Sequence, residues 1–278
     1  MMRRAEATGS GAEAPSPTDL RSVGGGARRT IDGAELAKLP LGDRGRKIVG
    51  ASWRERQKQE HLAVGAFSLL ARELAEEGCD AVVLSLITRA ASDEVRHAEI
   101  CRRYAVALLG EEAVPARVKG LPKVPMHPEA TAADRVLFHV VEMCCLSETL
   151  TGVYLTEMLA HTTDATVRNA LESLLEDEID HGRVGWAYLK ERAGEGRTKT
   201  LGQALPAMLD RTFRGVFEAA ARVKEPDDEA LEAGGYFGPK ASADIYRSAL
   251  RDVILPGFET LGVDLGPSRE RALASGWL

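Results

Sequence analysis

Four long helical patterns, joined in two pairs by very short connections, constrain the fold of this chain more than any other feature of its sequence. Apolar residues recur at helical spacing over about 44–77, 80–109, 130–161 and 164–192. Only two or three residues separate the first pattern from the second, and the third from the fourth. Helices joined so closely must lie antiparallel, so the spacing predicts two helical hairpins.

A proline-rich segment separates the two predicted hairpins. Its sequence, GEEAVPARVKGLPKVPMHPE, contains four prolines and cannot form one helix. Fully extended, it spans on the order of 65 Å, whereas a helix of about 30 residues is about 45 Å long. The segment is therefore long enough to cross from one end of a four-helix bundle to the other. A surface loop between separate hairpins requires the same length, and that alternative stays open.

Composition supports a fold made of helices. Hydrophobic residues make up 44% of the chain and aromatic residues only 5%, so the core must consist mainly of Ala, Leu and Val, which favours helices. Strand patterns are nearly absent. We predict an all-α chain with a disordered or loosely ordered tail over 1–43, a four-helix bundle over 44–193 and additional C-terminal helices over 194–278. These last helices are expected near 201–223, 241–261 and 268–274.

Charge and cysteine content argue against several classes of protein. Lys and Arg number 36 against 42 Asp and Glu, so nucleic acid is not an expected partner. The four cysteines show no C-x-x-C spacing, which argues against a zinc knuckle or disulfide framework and predicts a reducing cytoplasm.

No uninterrupted apolar run reaches the roughly 18 residues that span a bilayer, so no membrane association is predicted. The first thirty residues lack the apolar core of a secretory signal, and an organelle-targeting peptide is the alternative to a disordered tail.

Two copies of one motif carry the chemistry of the chain. The second predicted helix contains DEVRH at 93–97 and the fourth contains DEIDH at 177–181, each a D-E-x-x-H. The three-residue step places the Glu and the His on one helix face, close enough to bind one metal ion. A single E-x-x-H is a weak signal in a chain rich in carboxylates. One copy on the second helix of each hairpin is a much stronger signal.

Each motif has a carboxylate at the same height on the first helix of its hairpin. Residues at one level of an antiparallel hairpin have sequence numbers whose midpoint falls in the turn. The pairs that meet this condition are Glu60 with Glu94 and Glu148 with Glu178. The competitors Glu55 and Glu142 give midpoints inside a helix, and Glu142 also lies about 240° around an α-helix from Glu148. We therefore predict Glu60 and Glu148 as the partners of the two motifs.

This constellation resembles that of the ferritin-like di-iron carboxylate proteins, in which a Glu from each of two helices and an E-x-x-H from each of the other two project into a four-helix bundle. The resemblance covers about residues 45–192. It implies a ferritin-like bundle with one long crossover, and two iron ions as cofactors, with Fe/Mn and Mn/Mn as alternative pairs. It also implies that Glu94 and Glu178 bridge the ions. The implied metal ligands, which are also the implied catalytic residues, are Glu60, Glu94, His97, Glu148, Glu178 and His181.

Charge arithmetic supports such a site independently of the family. Four carboxylates contribute −4, two neutral imidazoles contribute nothing and two divalent ions contribute +4, so the filled site is neutral. Without metal, four buried carboxylates face a large desolvation cost unless several take up protons. A set of oxygen and nitrogen ligands with no thiolate suits iron or manganese better than copper.

Further residues of the motifs are expected to support the ligands. Asp93 and Asp177 lie either within reach of their own histidine or opposite the other motif, where a carboxylate can accept the second ring N–H. The DEVRH motif is similar to that of oxygen-activating bacterial monooxygenase subunits, whereas Asp180 replaces the Arg in the fourth helix. Arg96 and Asp180 are expected to pair with each other. The remaining histidines are predicted to be surface or capping residues: His61, His127, His139 and His161.

Three classes of function fit a di-metal bundle. They are oxygen-dependent oxidation of an organic substrate, iron or peroxide handling of the ferritin and rubrerythrin kind (a ferroxidase), and a degenerate bundle that serves as an interaction module. No C-x-x-C iron module is present, and about 85 residues follow the fourth helix, enough to enclose a substrate pocket or to form a homodimer interface.

We therefore favour a dioxygen-dependent di-iron oxidoreductase, an oxygenase or oxidase, acting on a small-molecule substrate. Small residues near Glu148 leave room for that substrate: Cys144, Cys145, Ser147, Thr151 and Gly152. No flavin or nicotinamide fingerprint is present, so electrons are expected from the substrate or from an external donor.

Overall fold

The computed structural model of the chain describes residues 32–192, 196–224 and 227–278, and none of these residues forms a β-strand. The prediction of an all-α chain is confirmed for this part of the sequence. Of the predicted tail, residues 1–31 lie outside the described residues. Within 32–43 a short helix forms, and Leu36 is fully buried there.

The four long helices lie where the hydrophobic spacing predicts them, with ends within two residues of the expected positions. The helices are α1 (Gly33–Leu36), α2 (Asp43–Glu76), α3 (Ala81–Leu109), α4 (Ala132–His161), α5 (Ala165–Arg192), α6 (Thr198–Arg222), α7 (239–260) and α8 (Gly266–Ala274). Short 3-10 turns occur at Glu111–Ala113 and Glu229–Gly234. The Asp80 carboxylate accepts from the Val82 backbone N–H and caps α3, and Asp164 caps α5 in the same way through Thr166.

The long helices pack as the connection lengths predict. Helix α2 runs along α3, α4 runs along α5, and α3 also packs against α5. The proline-rich segment crosses over α2, where a Cβ atom at Gly65 would lie 2.8 Å from the Pro122 ring and one at Gly120 would lie 3.1 Å from Leu62. The His139 ring then holds the segment by a 2.8 Å contact with the Pro125 carbonyl oxygen.

Helix α4 is interrupted by a π-helical segment that the sequence pattern did not predict. Residues Ala132–Val140 are α-helical, Val141–Glu148 form the π segment, and Thr149–His161 are α-helical again. By length and composition α4 is apolar enough to cross a membrane: an 18-residue window within it has a mean hydropathy of 1.4, and 61% of that window is buried inside the protein. The π segment ends at Glu148, so it sets the position of one predicted metal ligand.

Close approach of α5 to the π segment depends on a glycine. A Cβ atom at Gly185 would lie 2.3 Å from the Cys144 Cβ and 3.2 Å from the Cys145 backbone nitrogen. Beside it, the Trp186 indole N–H donates to the Thr149 hydroxyl at 3.0 Å, immediately after the π segment. The two helices therefore meet through a glycine, and no larger residue fits without moving α4.

The Gly185→Ala substitution is expected to lower the free energy of unfolding by about 1–3 kcal/mol because it overpacks this contact. It should also lower metal affinity, since α4 moves and carries Glu148 with it. The matched control is Gly215→Ala at an exposed position of α6, where a Cβ atom meets nothing within 4 Å. That change should stabilise the helix by up to about 1 kcal/mol. Denaturant unfolding of both variants checks the prediction, and equal stability of the two would contradict it.

The C-terminal helices complete the core of the hairpins. Apolar residues of α6 and α7 belong to one buried cluster with residues of α4 and α5. The Trp186 ring of α5, for example, lies 4.8 Å from the Phe258 ring of α7, measured between ring centres. The expected helices near 201–223, 241–261 and 268–274 are all present, and α7 contains a second π segment, Leu250–Ile254.

Candidate metal centre

All six predicted ligands lie together in the interior, contributed by four different helices. Glu60 comes from α2, Glu94 and His97 from α3, Glu148 from the end of the π segment and the remaining two from α5. None of the six side chains is more than 9% exposed. A buried cluster of four carboxylates and two imidazoles is costly unless its members are paired, protonated or bound to metal.

The six residues form two groups of four, each with a geometry that could hold a metal ion. In each group, one ligand atom from every residue lies within 4.8 Å of the others. The first group is Glu60, Glu94, His97 and Glu178, and the second is Glu94, Glu148, Glu178 and His181. Glu94 and Glu178 belong to both groups, which is the geometry expected of carboxylates that bridge two ions.

Four buried ligand atoms at the centre of the cluster lack a hydrogen-bond partner among the described residues. They are Glu94 Oε2, His97 Nδ1, Glu178 Oε2 and His181 Nδ1. The two Nδ1 atoms lie 3.3–3.5 Å from oxygen atoms of the shared carboxylates, but none of these contacts has hydrogen-bond geometry. Buried polar atoms are otherwise almost always satisfied. Imidazole nitrogens and carboxylate oxygens that face one another in this way suit divalent ions, so the residues present fit a di-metal group.

Each histidine is held by the aspartate of the opposite motif. His97 Nε2 lies 3.1 Å from Asp177 Oδ2, and His181 Nε2 lies 3.5 Å from Asp93 Oδ2. These contacts use the outer ring nitrogen and direct Nδ1 of each ring toward the shared carboxylates. Of the two placements predicted for the aspartates, the structure shows the one across the core. A carboxylate in this position fixes the ring orientation and tautomer of a metal-binding histidine.

The expected pairing of Arg96 with Asp180 is wrong. Arg96 instead contacts Asp177, and its guanidinium also lies 3.3 Å from the Ser173 hydroxyl, one turn before that aspartate. Asp180 pairs with Arg89 at 2.7 Å and is 42% exposed. The register of α3 against α5 explains the difference, since it places Arg96 level with Ser173–Asp177 and leaves Asp180 on the outer face.

Substituting Asp177 by Asn is expected to lower metal affinity by about 10–100-fold, because His97 loses the carboxylate that orients its ring. Asp180→Asn, three residues further along the same helix, affects only the exposed ion pairs with Arg89 and Arg183 and should leave metal affinity unchanged. Competition with a chromophoric chelator measures both affinities. Equal loss in the two variants would mean that Asp177 has no special relation to the site.

With no metal bound, protons and charges are distributed unevenly over the cluster. Burial and a neighbouring carboxylate raise the pKa of Glu60 well above its usual range, and burial together with Glu178 does the same for the pKa of Glu148. Against the cost of burial, contacts with Asp93 and Glu178 raise the pKa of His181 to about 11. Despite burial, the surrounding groups lower the pKa of Glu178 itself well below its usual value. The shared carboxylates are thus ionised while their neighbours keep protons.

Metal binding is therefore expected to release protons and to strengthen as pH rises. Ligands bind metal in their deprotonated form, and the raised pKa values mean that Glu60, Glu148 and His181 lose protons when the ions enter. Titration calorimetry in two buffers of different ionisation enthalpy measures the number released. Identical apparent enthalpies in the two buffers would contradict the expected exchange of protons for metal.

Glu142, His127 and His139 have partners other than the six predicted ligands. Glu142 contacts His127 at 2.9 Å and also binds Arg211, so its oxygen atoms are already used. His127 and His139 are buried, at 7% and 2% exposure, and the prediction that they are surface or capping residues is wrong for both. His139 instead joins the Glu73 carboxylate at 2.7 Å, which ties α4 to α2.

Two side chains beside the cluster were missed by the sequence analysis. The Phe67 ring lies 5.2 Å from the His181 ring, between centres, and covers it from the α2 side. The Arg56 guanidinium lies over Trp53 and Tyr154, and nearby Glu60 raises its pKa despite burial. Phe67 lies seven residues after Glu60 and Arg56 lies four residues before it, so both share the helix face of Glu60. This spacing is the sequence feature that could have identified them.

A cavity of about 300 Å³ leads to the cluster between α4 and α5. Glu148 and Glu178 form part of its wall, and Gly152 and Gly182 keep it open on the two helices. The remaining wall is mixed: Val153, Ile179 and the Trp186 ring are apolar, and the other lining residues are Thr149, Thr156, Glu157 and Arg183. A small molecule can therefore reach the predicted ligand Glu148 and one shared carboxylate, Glu178.

Comparisons with protein-family models, with curated proteins and with solved structures found no match to this chain. The donor atoms, burial and geometry of the site are therefore what indicate its chemistry.

Proposed function

We propose that this chain is a ferritin-like, non-haem di-iron oxidoreductase that uses dioxygen to oxidise a small organic substrate. The observation that carries the proposal is the pair of four-residue groups that share Glu94 and Glu178. A cavity reaches the second group from the surface and gives a small molecule access to it. Structural carboxylate networks do not need such access.

Two iron ions fit the donor set best. The six ligands offer carboxylate oxygen and imidazole nitrogen without thiolate, a set that suits iron and manganese. Two divalent ions cancel the charge of the four buried carboxylates, which is otherwise a large energetic cost. When bound, the ions supply the electrons and open coordination positions needed to reduce dioxygen.

The protein groups around the site have separate tasks. Asp93 and Asp177 hold the histidine rings so that both Nδ1 atoms face inward. Phe67 and the surrounding core limit access of water to that side, while the cavity beside Glu148 admits dioxygen and substrate. Because the sequence contains no flavin or nicotinamide fingerprint, the proposal takes the electrons for a full cycle from the substrate or from an external donor.

Iron handling and a purely structural bundle are the competing functions, and one titration separates all three. Chain free of metal is given increasing amounts of ferrous iron under argon and is then exposed to oxygen, while oxygen uptake and ferric iron are measured. For an oxidoreductase, oxygen uptake saturates at about two ferrous ions per chain, and it resumes only when a reductant is added. For a ferroxidase, oxygen uptake continues in proportion to the ferrous iron supplied.

The Glu94→Ala variant provides the background rate for this titration. Uptake by the unmodified chain that does not exceed that background would favour the structural bundle and reject the proposal. Uptake that grows linearly far beyond two irons per chain would replace it with iron handling. Saturation at two irons supports the proposal and justifies a search for the organic substrate.

A further inference from the structure

A second cavity, of about 330 Å³, lies on the other side of α4. The proline-rich crossover forms one wall through Lys123 and Pro125, and the C-terminal helices form another through Arg211 and Tyr246. Ser147, Leu150 and Thr151 of α4 form the base. None of its lining residues belongs to either metal group, so it is a site separate from the metal cluster.

Positive charge exceeds negative charge on the wall of this second cavity. Arg211 and Glu142 bind each other, with the guanidinium Nε donating to Glu142 Oε1 at 2.8 Å. The other oxygen of Glu142 faces His127 Nε2 at 2.9 Å, so both oxygens of this carboxylate are occupied. Lys123, in contrast, has no ion pair or hydrogen bond with any described residue. One ammonium group is therefore available to a ligand, which favours a singly charged anion over a phosphate.

Side chains that carry hydroxyl groups line the same cavity. Ser147, Thr151 and Tyr246 line it, and their hydroxyls make no hydrogen bond to other described residues. The Thr212 hydroxyl is already used, since it donates to the Met208 carbonyl oxygen at 3.0 Å. Pro125 and Leu150 add apolar surface beside the polar groups. A few convergent polar groups on a partly apolar wall are typical of small-molecule sites.

We propose that this cavity is a binding site for a small organic monocarboxylate. The carboxylate contacts the Lys123 ammonium and the hydroxyls of Thr151 and Tyr246, and the apolar body lies against Pro125 and Leu150. A volume of about 330 Å³ is at the small end of ligand sites and fits a single ring or a short chain. Binding does not require the metal ions, so the inference stands apart from the proposed oxidation.

The test uses benzoate and hexanoate as probes, with benzamide as the uncharged match for benzoate. Titration calorimetry on the full chain should show saturable binding of at least one carboxylate, and binding of benzamide should be at least about tenfold weaker. Lys123→Gln should weaken carboxylate binding about tenfold, because a charge-assisted hydrogen bond is lost. Lys119→Gln, an exposed change in the same crossover, should leave it unchanged.

A second cavity variant and a measurement on the Glu94→Ala variant keep the outcomes distinct. Tyr246→Phe removes one hydroxyl without changing the ring and should weaken benzoate severalfold. Binding should be the same in the Glu94→Ala variant, whatever its metal content. The inference is overturned if neither carboxylate binds, if benzamide binds as well as benzoate, or if the Lys123 and Lys119 variants behave alike. Failure of the iron titration alone leaves this inference standing.

Discussion

Replacing Glu94 or Glu178 by alanine is expected to remove both metal ions, lowering the metal content from about two per chain to near zero. Each of these carboxylates contributes to both four-residue groups, so one substitution damages both positions. It also leaves two divalent ions facing only three carboxylates in a buried site, which costs free energy. Elemental analysis after dialysis against a defined metal buffer measures the loss.

Variants of the unshared carboxylates provide the contrast. Glu60 and Glu148 each belong to one group only, so alanine at either position should weaken one ion more than the other. Glu142→Gln is the matched control, because Glu142 is a carboxylate on the same helix as Glu148, with its side chain 11% exposed, that binds His127 and Arg211 instead. Full metal content in the Glu94 and Glu178 variants would show that the two carboxylates are not shared ligands. A large loss in the Glu142 variant would contradict the choice of Glu148.

The placement of six residues in one cluster could be predicted from the two hairpins. In an antiparallel hairpin, the number of residues between a side chain and the turn determines its level along the helix axis. Two short turns set the level of each helix against its partner, and the three-residue step of E-x-x-H sets the face. These rules depend on local geometry alone. They identified Glu60 without any knowledge of tertiary packing, and the structure places it with Glu94 and His97.

What could not be predicted depends on contacts between helices. One of the two grounds for rejecting Glu142 assumes the rotation per residue of an α-helix, but Glu142 and Glu148 both lie in a π segment, which turns by fewer degrees per residue. The conclusion holds for another reason, because His127 and Arg211 bind Glu142 elsewhere. Hydrophobic periodicity in a sequence indicates which face of a helix is apolar. It does not indicate where the helix widens into a π segment.

The Arg96 pairing and the buried histidines have the same origin. A difference of one turn in the register of α3 against α5 decides whether Arg96 meets Asp177 or Asp180, and the sequence carries no marker of that register. His127 and His139 are buried because the crossover folds back over α2 and α4. Such long-range contacts become visible only when the path of the chain is known.

Removing the metal ions is expected to lower the melting temperature by about 8–16 °C. Ions that bind only the folded chain stabilise it by RT ln(1 + [L]/Kd), which is about 4 kcal/mol at a thousandfold excess over Kd. In a domain of this size each kcal/mol shifts the midpoint by about 2–4 °C. Thermal unfolding followed by circular dichroism, before and after chelation and with the metal content verified, measures the shift.

The Glu94→Ala variant decides whether such a shift belongs to this site. It should melt at one temperature with and without chelator, since it has no ions to lose. The metal-free chain is nevertheless expected to remain folded, because the shared carboxylates Glu94 and Glu178 stay beside the protonated rings of His97 and His181, while Glu60 and Glu148 keep their protons. Chelation thus removes binding energy without leaving four bare charges in the core. An unchanged melting temperature after verified metal loss would mean that protonation and ion pairing are enough to stabilise the buried cluster. The case for a resident di-metal centre would then fail.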